Sequence, residues 1–200
     1  SQMTSKPAGK GIALVGLRAT TSGLYVEPPA NHPIYTRIGM VAHQWSILEH
    51  YLDITIWHLL GTEHILGACL TAQIGGVHNR VAALKTLIAV RNLDTKFIGK
   101  LDEFATKCHD PQERRNRIVH DPWYLDLKTM TPAQWKSLPR KDLHFGMKHI
   151  DETYVTETLE MIPKCSARAR ELNEKIYDAL QASLKKPGEP PPATHQQDHP

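Results

Sequence analysis

The sequence has few cysteines and no long apolar run. Its 200 residues include three cysteines, none of them spaced as C-x-x-C. This argues against a secreted disulfide-bonded scaffold and against a zinc ribbon or zinc finger. No apolar run reaches the roughly 18 residues of a membrane span, and the N-terminus lacks the basic-then-apolar order of a signal peptide. We therefore expect a cytoplasmic protein with no membrane partner.

The excess of charge of one sign is also small. The chain has 24 Lys and Arg against 21 Asp and Glu, a formal net charge of +3 at pH 7 with neutral histidines. This excess permits contact with an anionic partner without implying one. A chain of this length can bury one core without a disulfide or a structural metal. We expect one folded domain, no bound metal and no cofactor.

Apolar residues at helical spacing dominate the chain after residue 33. Between 34 and 60 they recur every three or four residues, at Ile34, Ile38, Val41, Trp45, Leu48, Leu52, Ile56 and Leu59. Gly61 should end this helix. Further helices are predicted over 63–74, 77–92, about 94–108 and about 154–186, the last one kinked or broken at Pro163. Short connections between them predict an all-α fold, an antiparallel helical bundle.

The clearest start and stop signals frame residues 110–122. Asp110, Pro111 and Glu113 supply an N-cap, a first-turn proline and an acidic third position, which predicts a new helix beginning at Pro111. Asp121 precedes Pro122 and is pushed away from helical dihedrals. A short helix should therefore end at His120.

The pattern changes to alternation between about 123 and 150. Two alternating runs, Trp123/Leu125/Leu127 and Leu143/Phe145/Met147, predict two strands. We expect a small β-hairpin insertion over about 123–150, within a helical domain covering 34–186. The N-terminal residues 1–33 are expected to form a flexible tail or a loosely docked hairpin, and residues 187–200 a disordered C-terminal tail.

The densest polar cluster on a predicted helix lies over 113–121. Arginine suits a phosphate or the charge of a phosphorane-like transition state, and histidine exchanges a proton near neutral pH. Together they could cleave RNA without a metal, by attack of the ribose 2′-OH on the adjacent phosphorus. We expect His120 to be the general acid and base, Arg115 the stabiliser of the transition state, and Asn116 the orienting group.

The geometry of a helix qualifies this interpretation. At about 100° per residue, Asn116 and His120 lie on one face, whereas Arg115 and His120 diverge by about 140°. Asn116 can therefore accompany His120 directly. Arg115 would have to reach round the helix, or meet a substrate held between two copies of it.

The run Arg115-Asn116 followed by His120 resembles the R-x(4–6)-H motif of the HEPN superfamily. The layout of antiparallel helices over about 34–186 is also similar, and Trp45-x-x-Leu48-Glu49 looks like the first-helix pattern of many bacterial members. Many members paired with a nucleotidyltransferase antitoxin carry a tyrosine two residues after the histidine, where this chain has Pro122. Regulation by modification of such a tyrosine is therefore not expected.

The resemblance implies an all-α bundle that often dimerises with its motifs facing each other. Active members are metal-independent endoribonucleases of toxin–antitoxin or defence systems, and other members are non-catalytic interaction or RNA-binding modules. RNA, a second copy and an antitoxin or other protein are thus the implied partners. Arg114, Arg117 and Glu49 are the further candidates for contact with the substrate.

A simpler interpretation stays open for each of these residues. The arginines of the cluster would form a solvated helix face, with Glu113 paired to Arg117. Asn116 and His120 would be a satisfied polar pair at a helix end. Burial discriminates between the interpretations, because a catalytic pair must line a surface that a phosphate can reach.

Three further groups have a structural interpretation. A metal site could be formed by Glu49, His50 and Asp53, but such residues are typical of the solvent-exposed face of a helix. Trp45 and Trp123 are expected in the core. Basic and acidic residues interleave on the last helix, at Lys164, Arg168, Arg170 and Lys175 and at Glu160, Glu171, Glu174 and Asp178. This balance predicts a solvent face with ion pairs rather than a nucleic-acid groove.

Overall fold

The computed structural model describes residues 24–138 and 144–185, and these are mostly helical. Their helices are α1 (Pro33–Leu60), α2 (His64–Thr71), α3 (Gly76–Val90), α4 (Lys96–His120) and α5 (Glu152–Leu184). Their strands are β1 (Tyr25–Val26), β2 (Trp123–Asp126), β3 (Pro132–Leu138) and β4 (His144–His149). None of these helices has the length and apolar character that crossing a membrane requires. The prediction of a mainly helical fold is confirmed.

The chain divides into two compact units. Unit 1 consists of Ser1–Gln44 and Asp110–Met161, and unit 2 consists of Trp45–His109 and Ile162–Pro200. Helices α1, α4 and α5 are each divided between the two units, with one segment in unit 1 and one in unit 2.

Unit 2 is built from four long helical segments and the short helix α2. Side-chain contacts link the four segments in a ring: Arg80–Asp53 (α3–α1), Lys85–Asp102 (α3–α4), Cys165–Lys107 (α5–α4) and Thr55–Asn173 (α1–α5). The side chains they enclose are apolar and buried, among them Trp45, Leu52, Ile56, Leu84, Leu101 and Ile176. Trp45 is thus a core residue, as predicted. The apolar stripe of each helix faces a common core, as in helical bundles.

Helix α4 does not begin at Pro111, and this corrects the sequence prediction. It runs without a break from Lys96 to His120, with Pro111 inside it. A proline inside a helix leaves the carbonyl four residues earlier without its usual amide donor. That carbonyl belongs to Lys107, and Cys165 Sγ lies 4.0 Å from it as an alternative donor. Helix α5 likewise runs through Pro163 without the predicted break.

Unit 1 contains a four-stranded antiparallel sheet in the order β1-β2-β3-β4, where the sequence predicted only a hairpin. One strand that the sequence did not predict is β3. Pro132 is the first residue of β3, opposite Leu125, a position where a strand tolerates a proline. The other missed strand is β1, which pairs with β2 through Tyr25 opposite Asp126.

The predicted N-terminal tail therefore has ordered residues at its end. Tyr25–Val26 belongs to the sheet, and Tyr35 Oη of α1 donates to the carbonyl of Pro28 at 3.1 Å. Residues 1–23 of that tail, and the tail predicted over 187–200, lie outside the described residues.

Replacing Gly67 with alanine should destabilise the protein. A Cβ atom at Gly67 would lie 2.6 Å from the ring of Trp57, whose Nε1 donates to Thr71 Oγ1. Overpacking of this kind costs about 1–3 kcal/mol. The same substitution at Gly99 of α4, where nothing lies within 4 Å, should instead stabilise the protein by about 0.5–1 kcal/mol. Urea unfolding monitored by circular dichroism measures the change in the free energy of unfolding for both variants. Equal changes in the two variants would contradict the packing of α2 on α1.

Candidate active site

The motif residues lie in the last two turns of α4, in unit 1. Arg115 Nη1 donates to Asn116 Oδ1 at 3.0 Å and lies 3.2 Å from His120 Nε2. His120 is exposed, and Arg115 and Asn116 are half-buried. The long side chain of Arg115 therefore reaches round the helix to His120, one of the two arrangements that the sequence allowed.

The contact between Arg115 and His120 specifies how the imidazole is protonated. A guanidinium group has donors and no acceptor. His120 Nε2 must therefore accept, which places the imidazole proton on Nδ1 and leaves a lone pair on Nε2. That lone pair is engaged by Arg115, so Nε2 can act as a general base only when another acceptor, such as a phosphate, takes over the guanidinium group.

Asn116 acts on Arg115 in this structure. Helical spacing predicted contact between Asn116 and His120, but the hydrogen bond of the Asn116 side chain goes to Arg115. Within the described residues, Arg115 Nε is buried and has no hydrogen-bond partner. The guanidinium group is thus positioned by two neighbours and retains an unpaired donor.

Arg114 is held by acidic residues. Its guanidinium group contacts Asp110 Oδ2 at 3.1 Å and Glu157 Oε2 at 2.8 Å, and it lies over the ring of Tyr154 at 5.1 Å. The hydrogen bond to Glu157 raises the pKa of Arg114, against an opposing effect of burial. Arg114 therefore links α4 to α5 within unit 1, and a substrate would have to compete with both carboxylates for it.

Arg117 is less firmly held. Its Nη1 lies 3.5 Å from Asp121 Oδ1, and about a third of its side chain is exposed, 32%. Of the two flanking arginines, Arg117 is thus the one more available to a phosphate.

The sheet holds the end of α4 through two buried side chains. Gln134 of β3 is fully buried, and its Nε2 donates to the carbonyl of Arg117 at 3.0 Å. Trp123 of β2 is buried as predicted, and its Nε1 donates to the carbonyl of Ile118 at 2.8 Å. The carbonyl of Arg117 also accepts from the amide of Asp121 at 3.1 Å. The carbonyl of Ile118 has no such donor, because the residue four positions later is Pro122, and the bond from Trp123 takes the place of the missing amide.

Lys136 forms a second connection beside His120. Its Nζ donates to Asp121 Oδ2 at 2.9 Å and to Gln134 Oε1. Burial lowers the pKa of Lys136, although Asp121 opposes the shift. The residue after His120 is therefore fixed to the sheet by an ion pair. Gln134 and Lys136, which share one face of β3 two residues apart, carry no local signal in the sequence that points to this role.

Glu49 lies in unit 2, where it belongs to a different cluster. Arg80 of α3 is 8% exposed, and its guanidinium group contacts Asp53 Oδ1 at 2.8 Å and Glu49 Oε1 at 3.5 Å. The two carboxylates thus pair with an arginine, whereas the sequence predicted them on a solvent-exposed helix face. Among the described residues, no group of three His, Cys, Asp or Glu side chains is arranged to hold a metal ion.

Protein-family models, curated proteins and solved structures contain no match to this chain. The interpretation of the site therefore depends on its own geometry and on the motif. Arg115, Asn116 and His120 form one connected group at an accessible helix end. Arg114 and Arg117 flank it, and Glu49 lies in the other unit.

Removing the side-chain amide of Gln134 should destabilise unit 1. Gln134→Leu keeps the volume nearly constant but removes one of the two donors to the carbonyl of Arg117, which retains the amide of Asp121, and also removes an acceptor of Lys136 Nζ. The loss of these two hydrogen bonds costs about 1–3 kcal/mol. The matched control is Gln73→Leu at an exposed position, where the change should be within about 0.5 kcal/mol. Urea unfolding of both variants measures the difference. Equal stability of Gln134→Leu and the wild-type protein would contradict the role assigned to this side chain.

Proposed function

We propose that this protein is a metal-independent endoribonuclease of the HEPN type. The observation that carries the proposal is the position of Arg115 Nη1, 3.0 Å from Asn116 Oδ1 and 3.2 Å from His120 Nε2, at an exposed helix end. The mainly helical fold is consistent with that superfamily. The burial criterion also favours catalysis, since a phosphate can reach His120 from solvent.

The proposed reaction uses the three residues in distinct roles. When a phosphate of the RNA takes the place of His120 at the guanidinium group of Arg115, Nε2 of His120 becomes free. It accepts the proton of the ribose 2′-OH as the 2′-oxygen attacks the adjacent phosphorus. The bond from phosphorus to the 5′-oxygen breaks, the leaving oxygen takes up a proton, and a 2′,3′-cyclic phosphate remains. Arg115 stabilises the charge on the phosphorus oxygens, and Asn116 holds Arg115 in place.

The proposal extends to the setting in which the protein acts. We propose a cytoplasmic toxin-like or defence enzyme that works as a homodimer and is controlled by an antitoxin or another protein partner. In a dimer with facing motifs, the second His120 could supply the proton for the leaving oxygen. Arg117 is the residue proposed to hold the backbone of the RNA next to this site.

An exposed apolar face favours a second candidate function, a non-catalytic interaction module. Helix α2 of unit 2 leaves Ile65, Leu66 and Leu70 exposed to 77%, 59% and 54%. Clustered exposed apolar side chains are typical of a surface that binds another protein. Under this alternative, Arg115, Asn116 and His120 are a satisfied polar group at a helix end.

His120→Ala and Arg115→Ala should each abolish most of the cleavage of RNA. We expect losses of about 100-fold or more, because each variant removes the proton-transfer group or the stabilising charge. The measurement is incubation of purified protein with mixed RNA in the presence of EDTA, with analysis of the product termini. His109→Ala, an exposed histidine on the same helix, is the matched control and should cut like the wild-type protein. Cleavage that survives in His120→Ala would contradict the assignment, and a folded wild-type protein that does not cut would favour the interaction module.

Asn116→Ala should have a smaller effect on cleavage than either of those variants. It removes one of the two acceptors that hold Arg115 but no group that touches the substrate. The loss of one such hydrogen bond corresponds to a decrease in kcat of about tenfold. Single-turnover cleavage of a short RNA measures this effect, and a loss as large as that of His120→Ala would place Asn116 among the reacting groups.

A further inference from the structure

A groove in unit 2 collects basic side chains from two helices. It has a volume of about 290 Å³ and lies between α4 and α5. Its basic residues are Lys100 and Lys107 from α4 and Arg168 and Lys175 from α5. From the sequence, the α5 residues were predicted to form a solvent face with balanced charge. The sequence does not reveal that two lysines of α4 lie beside them in the folded protein.

The four basic residues are arranged as two parallel rows. Lys100 and Lys107 are seven residues apart on α4, and Arg168 and Lys175 are seven residues apart on α5, so each row spans two helical turns or roughly 10 Å. The two helices are antiparallel here, since Cys165 Sγ contacts the carbonyl of Lys107, whereas Glu171, further along α5, is close enough to Lys100, earlier on α4, for this lysine to lower its pKa. Arg168 therefore lies near Lys107, and Lys175 lies near Lys100.

Acidic residues neutralise only part of this charge. Glu103 and Glu171 also line the groove, but Glu171 forms an ion pair with Lys175. This lysine, with smaller contributions from Lys100 and Arg168, lowers the pKa of Glu171. Lys100, Lys107 and Arg168 form no ion pair with any other described residue. The groove thus has three cations available to an external anion against one unpaired carboxylate.

The floor of the groove is apolar. Phe104 and Leu172 line it, and both are buried, with 3% and 9% exposure. Buried side chains present no polar groups for reading base edges and little surface for stacking. A ligand would therefore be held by its charges, at intervals set by the helical repeat.

We propose that this groove binds the sugar–phosphate backbone of single-stranded RNA. Two rows of cations about 10 Å long match a short stretch of repeating negative charge, whereas a single small anion would contact only one end. A flexible single strand can adapt its backbone to a groove between two helices, whereas a rigid duplex cannot. Binding here is independent of base sequence. The choice of RNA as the nucleic acid rests on the proposed function, whereas the charge pattern requires only a phosphate backbone.

The test compares two triple variants in the His120→Ala protein, so that the RNA is not cut. In the first, Lys100→Gln, Lys107→Gln and Arg168→Gln remove the unpaired cations of the groove. Its Kd for a short fluorescent single-stranded RNA should rise by about tenfold to a hundredfold. Its plot of log K against log salt should be less steep by about 2, because about three phosphate contacts are lost.

The matched control carries Lys164→Gln, Arg170→Gln and Lys185→Gln. It loses the same net charge from α5 and the residue after it, but none of these side chains lines the groove. Its Kd should change by less than about threefold. Circular dichroism of both triple variants confirms that each one is folded. An equal loss of affinity in both variants would overturn the proposal, because general charge would then explain the binding.

Competition experiments identify the ligand class. Unlabelled single-stranded RNA should displace the probe at lower concentration than duplex RNA or polyglutamate. Stronger competition by polyglutamate would identify an acidic polypeptide as the ligand and overturn the proposal. The outcome is independent of catalysis. If the wild-type protein cuts RNA but the groove variant keeps its affinity for RNA, only the proposed role of the groove is contradicted. If binding depends on the groove but the wild-type protein does not cut RNA, only the proposed activity is contradicted.

Discussion

The C-terminal end of α4 depends on two hydrogen bonds from the sheet. Gln134 and Trp123 donate to the carbonyls of Arg117 and Ile118. The amide of Asp121 also donates to Arg117, but Pro122 leaves the carbonyl of Ile118 without a helical donor. Because the side chains of Gln134 and Trp123 are buried, water cannot replace them. The sheet therefore supports the end of α4, and this support determines the position of His120.

That support explains how an arginine and a histidine five residues apart can meet. On an ideal helix the two side chains point in different directions, and Arg115 covers the difference with its length. The reach is useful only if His120 stays in one place at the very end of the helix. The ion pair of Asp121 with Lys136 fixes the next residue, and Asn116 fixes the guanidinium group from the other side. The three motif residues thus form one connected group with a defined geometry.

Local patterns in the sequence predicted the parts of this structure that depend on local interactions. The three- to four-residue spacing of apolar residues located α1, and Gly61, at φ 66°, ends it as expected. The stop at Asp121 was also predicted and is confirmed. Features that depend on distant residues were missed. Pro111 stays inside α4 where Cys165 offers a donor to the carbonyl of Lys107, and no periodicity in the sequence signals that contact.

The same distinction applies to the candidate site. Arg115, Asn116 and His120 could be found because they are close in the sequence and their spacing is informative. Gln134 and Lys136 could not, since their role comes from the pairing of β3 with β2, which places Gln134 opposite Trp123. Likewise, the groove of unit 2 arises only when α4 and α5 lie side by side, because its basic side chains come from both helices.

The order of the sheet has a consequence for association between molecules. Strand β4 lies at one edge, so part of its backbone has no partner within the sheet. An open edge can recruit strands of other chains and begin aggregation. Lys148 and His149 on this strand are exposed, and Gly146, at φ 146°, departs from regular strand geometry. A charged and irregular edge discourages such pairing, so this small sheet can support α4 without becoming a template for fibre growth.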